Sequence, residues 1–164
     1  MYLSTGIIKE RGEVFIIIIY TIFCFTLCIM SIIDWKTRRI PYRFQAIILA
    51  LGVISLFISN ELTIKERLLG MFIVSLPMSL ITFLSNAFGG ADIQLVCVSG
   101  LLLGYRRNVV AIMIALFLAA IVGVILGWTK RKTKEKAVIP FVPFLSIGFV
   151  FSLFIGDYIF KLIW

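Results

Sequence analysis

Apolar residues occupy six long stretches of the chain, and short polar segments separate them. The stretches are residues 14–33, 44–59, 68–88, 93–105, 109–128 and 140 to the end. About 20 helical residues cross a hydrocarbon layer of about 30 Å, and most of the stretches come near that length. The pattern therefore predicts an all-α, polytopic membrane protein with about six transmembrane helices.

The fourth stretch, 93–105, is the shortest, with 13 residues. It can cross as a tilted helix in a locally thin membrane, or by extending through Asp92 at one end and 106–107 at the other. The spacing Gly100-x-x-x-Gly104 within it permits the close approach of another helix. We expect these glycines to serve helix packing.

Six helices of this length use most of the 164 residues, of which 62% are hydrophobic. The remainder is too short for a separate soluble domain of about 50 residues or more. We therefore expect a single domain, residues 1–164, whose chemistry depends on a few residues at or inside the bilayer.

The net charge of +8 comes from 16 basic and 8 acidic residues, and the basic residues cluster in the short polar segments. Such clusters orient a membrane protein and attract anionic lipid headgroups, so we expect lipid contacts and no nucleic acid. The segments after the first, third and fifth stretches hold nine of the basic residues. Because the basic-rich side is normally cytoplasmic, both termini are predicted to lie outside.

The chain has no histidine, and its three cysteines lie in apolar stretches without a C-x-x-C pair. Histidine is the commonest zinc ligand and the commonest general base. We therefore expect neither a metal site nor another cofactor, and any catalysis must use other groups.

Two acids, Asp34 and Asp92, lie at helix ends on the predicted cytoplasmic side, whereas Asp157 has Lys161 at i+4 as an expected surface partner. Two carboxylates at short range share one proton, so one acts as acid and the other as base on a water molecule. This is aspartic protease chemistry. Two structural roles stay open: Asp92 as the N-cap of the fourth helix, and Asp34 as an interfacial residue in a charged turn.

Three segments carry a family resemblance: SIIDWKTRRIP at 31–41, GGADIQL at 89–95 and IPFVPFL at 139–145. In order and spacing they resemble the first catalytic motif, the GxGD-type second motif and the proline-containing segment of the type IV prepilin peptidase family. The resemblance covers roughly residues 31–148.

This resemblance implies an intramembrane aspartyl endopeptidase with Asp34 and Asp92 as the catalytic pair. It would remove the basic leader peptide of pilin-like precursors at the cytoplasmic face of a prokaryotic cytoplasmic (inner) membrane. The chain lacks the cysteine-containing insertion found in many members, so it is similar to the short form, and methyltransferase activity is not expected.

By motif position, six further residues are expected to bind substrate or support the pair: Arg38, Pro41, Gly89, Gly90, Gln94 and Pro143. The two glycines lack side chains, can adopt φ > 0 and would let an extended substrate backbone approach Asp92. The chain departs from the family pattern at Ala91, Gln94 and Tyr42, where glycine, lysine and asparagine are usual.

Two other functions stay open. One is a catalytically silent membrane subunit of a pilus or secretion assembly. The other is a small proton-coupled transporter whose aspartates relay protons. Inverted repeats would favour the transporter, and none is evident in the sequence.

Overall fold

A computed structural model describes residues 2–37, 40–59, 62–85, 88–129 and 140–163. Its five helices are α1 (Tyr2–Thr37), α2 (Tyr42–Ile58), α3 (Ile64–Ser85), α4 (Gly90–Thr129) and α5 (Val142–Ile163). The described ranges contain no strand, so the prediction of an all-α fold is confirmed.

Four helical segments are long and apolar enough to cross a membrane: Gly12–Thr37, Ile64–Ser85, Gly90–Ile125 and Val142–Leu162. Large apolar side chains face outward, and Phe57 and Leu162 are each 87% exposed, whereas Ser99 and Ser152 are fully buried. Apolar residues outside and small polar residues inside suit a protein surrounded by lipid. The chain is a membrane-embedded protein; six crossings and outside termini stay predictions.

Helix α4 is interrupted at Gly104, whose φ of 74° and ψ of 173° are far from helical values. The side-chain amide of Asn108 donates to the Val96 carbonyl at 3.3 Å. In a straight helix these two positions, which are twelve residues apart, would be separated by about 18 Å. The segments 90–103 and 105–129 therefore fold back on each other with Gly104 as the turn.

This turn separates the fourth and fifth apolar stretches of the sequence. The fourth helix begins at Gly90 and therefore includes Asp92. This start confirms one of the two expected extensions of the fourth stretch. The other extension, through 106–107, is wrong because the backbone reverses at Gly104, a conformation that favours glycine.

The glycines near the turn serve packing. A Cβ at Gly100 would collide with the carbonyl of Gly70 on α3, and a Cβ at Gly70 would collide with that of Gly100. Close approach of α3 and α4 thus requires glycine on both helices. The packing role expected for the Gly100-x-x-x-Gly104 spacing is confirmed.

Two arginines, Arg67 buried and Arg107 half-buried, connect helices at the Gly104 end of the bundle. Arg67 on α3 is 1% exposed and donates to the Ser55 hydroxyl at 2.6 Å and to the Leu101 carbonyl at 3.2 Å. Arg107 on α4 lies 2.7 Å from the Asp157 carboxylate. The prediction that Lys161 is the partner of Asp157 is wrong, because helix packing brings the Arg107 guanidinium to this carboxylate.

Helices α1 and α4 share neighbouring helices, and Arg107 on α4 also donates directly to the Tyr20 hydroxyl on α1 at 3.1 Å. Helix α1 packs on α2 and α5, while α4 packs on α2, α3 and α5. The rings of Phe23 on α1 and Phe149 on α5 meet edge to face, with centroids 5.9 Å apart. Helices α2 and α5 therefore determine how far α1 lies from the start of α4.

Candidate active site

Four helix ends meet at the end of the bundle opposite Gly104. They are the last turns of α1 with Asp34, the first turn of α2 with Gln45, the first turn of α4 with Asp92, and the start of α5 at Val142. A ring contact between Phe88 and Phe141, with centroids 5.5 Å apart, joins the segments that lead into α4 and α5.

Asp34 is 6% exposed and lies one turn before the end of α1. Its Oδ2 accepts a hydrogen bond from the backbone N–H of Val142, the first residue of α5, at 3.3 Å. The N–H groups of a first helical turn have no partner in their own helix and attract a carboxylate. Burial excludes the alternative of an interfacial residue in a solvated turn.

The proline at the start of α5 can be explained by the hydrogen bonds of the first helical turn. Pro143, the second residue of α5, has no N–H, and the N–H groups of Phe144 and Leu145 both donate to the Phe141 carbonyl at 3.1 Å. Val142 therefore carries the N–H that α5 directs at Asp34. The half-buried Pro143 also lines a groove of about 280 Å³ together with Ile32 and Trp35.

Asp92 is half-buried and is the third residue of α4. Its N–H donates to the Gly89 carbonyl at 3.0 Å, and its Oδ2 accepts from the Gly89 N–H at 3.3 Å. The N-cap position therefore belongs to Gly89, and Asp92 reaches back from N3 as the acid of a capping box does. The alternative of Asp92 as the N-cap is wrong by three positions.

The two carboxyls lie near enough for the negative charge of Asp34 to act on the carboxyl of Asp92. They belong to helices that pack on common neighbours, α2 and α5. The topology thus brings Asp34 and Asp92 to the same end of the bundle, as antiparallel threading predicts.

Gln45 belongs to this site, although sequence reasoning did not select it. It is 5% exposed, and its Nε2 donates to the Ala91 carbonyl at 2.7 Å. The signal in the sequence is slight: Gln45 is the one side-chain amide in the apolar stretch 44–59. A polar group within a membrane helix is costly unless it has a partner.

The two glycines before Asp92 differ in their surroundings. A Cβ at Gly89 would lie 3.1 Å from Oδ2 of Asp92, whereas a Cβ at Gly90 would meet nothing within 4 Å. Gly104 is the glycine with positive φ in the described part of the chain. Gly89 and Gly90 therefore do not use the positive φ that glycine allows, and space beside Asp92 is the reason for glycine at position 89.

The other residues expected at the site have different positions. Pro41 is the half-buried N-cap of α2, and its carbonyl accepts from the Phe44 N–H at 3.2 Å. Gln94 is exposed and lies about 200° around α4 from Asp92, so it projects away from that carboxyl. Arg38 lies outside the described residues. Those residues contain no group of three His, Cys, Asp or Glu side chains that could hold a metal ion.

Fold and site together define a helical membrane protein with a carboxyl pair at one end of its bundle. The chain belongs to the type IV leader peptidase family, whose family model matches residues 21–128, more than half of its length. The match confirms the resemblance drawn from the motifs and includes Asp34 and Asp92, while Pro143 lies beyond it. No curated protein and no solved structure matches the chain. The protein is therefore a type IV leader peptidase-like protease.

Proposed function

We propose that the protein is an intramembrane aspartyl endopeptidase that removes the basic leader of pilin-like precursors at the cytoplasmic face of a prokaryotic cytoplasmic membrane. The observation that carries this proposal is the pair of carboxyls at one end of the bundle, each bound to a backbone N–H where a helix begins. Membership of the leader peptidase family supports the substrate class.

In each carboxyl, one oxygen accepts a backbone hydrogen bond and the other is available to water or substrate. Oδ2 of Asp34 accepts the Val142 N–H, and Oδ2 of Asp92 accepts the Gly89 N–H. Within the described part of the chain, Oδ1 of each residue is then the oxygen that can bind water or substrate. Backbone donors at helix starts orient both carboxyls without using a further side chain.

The reaction follows from one proton shared by the pair. The ionised carboxyl removes a proton from water as the water oxygen attacks the scissile carbonyl, and the protonated carboxyl donates its proton to the carbonyl oxygen. As the tetrahedral intermediate collapses, the C–N bond breaks, the amine leaves with the proton that the pair took from water, and a hydroxyl proton of the intermediate returns to the pair as the C=O bond re-forms. No cofactor takes part in these steps.

Charges near the site suit the proposed membrane side. Lys36 is exposed two residues after Asp34, where it can contact anionic headgroups. Arg43, in the first turn of α2, is exposed as well. Arg38, Arg39 and the basic cluster at 130–136 lie outside the described residues. We infer that lipid binds these groups, because a basic leader would be repelled by them.

The burial of Asp34 argues against a silent membrane subunit. A carboxyl with 6% exposure, and with one neutral donor among the residues that the structure describes, costs free energy that a purely structural role does not require. A proton relay in a transporter would also use buried acids, so the decisive measurement is peptide bond cleavage.

The test is co-expression with pilin-like precursors, with leader removal followed on gels and the new N-terminus identified by mass spectrometry. Asp34→Asn and Asp92→Asn should each lower cleavage by about 10²–10⁴-fold, the range for loss of general acid–base catalysis. Asp157→Asn is the matched control, since the same change at the Arg107 pair should leave cleavage intact. Substantial cleavage by either of the first two variants would exclude the pair.

A further inference from the structure

We propose that Gln45 is a positioning residue for Asp92, and that its side-chain amide holds the peptide group from which Asp92 extends. This inference rests on the proposed function, because it assigns Gln45 to the same reaction. Gln45 itself does not contact the reacting atoms: it acts through the backbone of Ala91 and Asp92.

The hydrogen bonds at this position hold one peptide group at both edges. The Ala91 carbonyl and the Asp92 N–H belong to the same planar unit. Gln45 Nε2 donates to that carbonyl at 2.7 Å, and the N–H donates to the Gly89 carbonyl at 3.0 Å. One bond comes from a neighbouring helix and one from the local turn, so together they determine the orientation of the plane.

The backbone just before Asp92 needs such a hydrogen bond because the two glycines there have no side chains to hold it. Gly89 and Gly90 are exposed, and a side chain at Gly90 would meet open space. Helix α2 packs on both α1 and α4, so an anchor on α2 relates the Asp92 backbone to the helix that carries Asp34. A misplacement of about 1 Å in an active site can lower the rate about 10²-fold.

The opposite end of the bundle has a matched hydrogen bond. Asn108 is fully buried, and its Nδ2 donates to the Gly70 carbonyl at 2.7 Å. Like Gln45, it joins two helices through a side-chain amide and a backbone carbonyl. An apolar replacement at Asn108 therefore measures what loss of such a bond does to the protein as a whole.

The experiment compares Gln45→Met, which keeps the length of the side chain and removes the donor, with Asn108→Leu in purified protein. We expect Gln45→Met to lower kcat for a pilin-like precursor about tenfold or more, with KM within about twofold. Asn108→Leu should lower the thermal unfolding midpoint while kcat stays within about twofold. Backbone amide exchange at residues 89–93 should become faster in Gln45→Met alone.

Several outcomes would overturn the proposal: a wild-type kcat in Gln45→Met, an equal fall of kcat in Asn108→Leu, or unchanged exchange at residues 89–93. If Gln45→Met does not fold, Gln45→Asn replaces it, since its shorter amide cannot span the same distance. Failure of both to fold would make Gln45 a structural residue and also reject the proposal. A wild-type protein that cleaves no precursor would reject the proposed function, while the exchange measurement still decides the role of Gln45.

Discussion

At the scale of single residues, the site depends on backbone N–H donors and on a glycine whose lack of a side chain leaves space. Val142 and Gly89 each give an N–H to a carboxyl, and Pro143 has no N–H to give. Gly89 leaves space for the Asp92 carboxyl. These features explain why helix starts, rather than a cluster of polar side chains, surround the two acids.

A substitution at Gly89 should therefore act on Asp92 directly. In Gly89→Ala the new Cβ lies 3.1 Å from Oδ2 and pushes the carboxyl by a few tenths of an ångström. We expect kcat to fall about tenfold, given how steeply rates depend on the position of reacting groups. Gly90→Ala should have a much smaller effect because its Cβ enters open space. Equal kcat values for the two alanine variants would contradict this account.

At the scale of elements, the reversal of α4 places its two segments side by side. The Asn108 amide spans the two segments, and Arg67 donates to the Leu101 carbonyl just before the turn. With φ of 74° and ψ of 173°, Gly104 occupies a region that is essentially limited to glycine. The Gly104 end is thus held by buried hydrogen bonds and by backbone geometry.

Gly104→Ala should destabilise the protein by about 1–3 kcal/mol, the cost of placing a Cβ in this backbone region. Gly12→Ala is the control, because its Cβ would lie 3.9 Å from the Ile58 carbonyl oxygen, an ordinary contact. That change should stabilise α1 by up to about 1 kcal/mol. Unfolding in detergent measures both values, and a Gly104→Ala protein as stable as wild type would refute the strained turn.

At the scale of the whole molecule, the bundle has two different ends. Asp34, Gln45 and Asp92 lie at one end, while the Arg107–Asp157 pair lies at the other. Helices α2 and α5 connect the two acid-bearing helices at the first end. With Asp34 and Asp92 as the proposed catalytic pair, we expect cleavage on one side of the membrane only.

Cysteine labelling tests which side that is. In a background without the three native cysteines, Lys36→Cys should react from the cytoplasm and Ile64→Cys from the outside. Both positions are exposed, and they lie at opposite ends of the bundle. Labelling from the reverse sides would overturn the orientation inferred from the basic residues and with it the proposed side of cleavage.

Hydropathy and local motifs were sufficient to predict the helical fold, the family and the meeting of Asp34 and Asp92 at one end of the bundle. Stretch length indicates membrane helices because each segment meets the lipid by itself. One expected extension of the short fourth stretch, through Asp92, is confirmed, and the reversal expected between residues 105 and 109 lies instead at Gly104. Its positive φ depends on how α4 packs against α3, and a GxxxG spacing is compatible with a straight helix as well.

The sequence by itself determined the class of fold and the two local motifs that hold Asp34 and Asp92, since each depends on residues near each other in the chain. The tertiary structure decided their partners. Gln45 meets Ala91 across 46 residues, Arg107 meets Asp157 across 50, and Val142 meets Asp34 across 108. No local periodicity encodes such contacts, because they exist only once α2, α4 and α5 have packed.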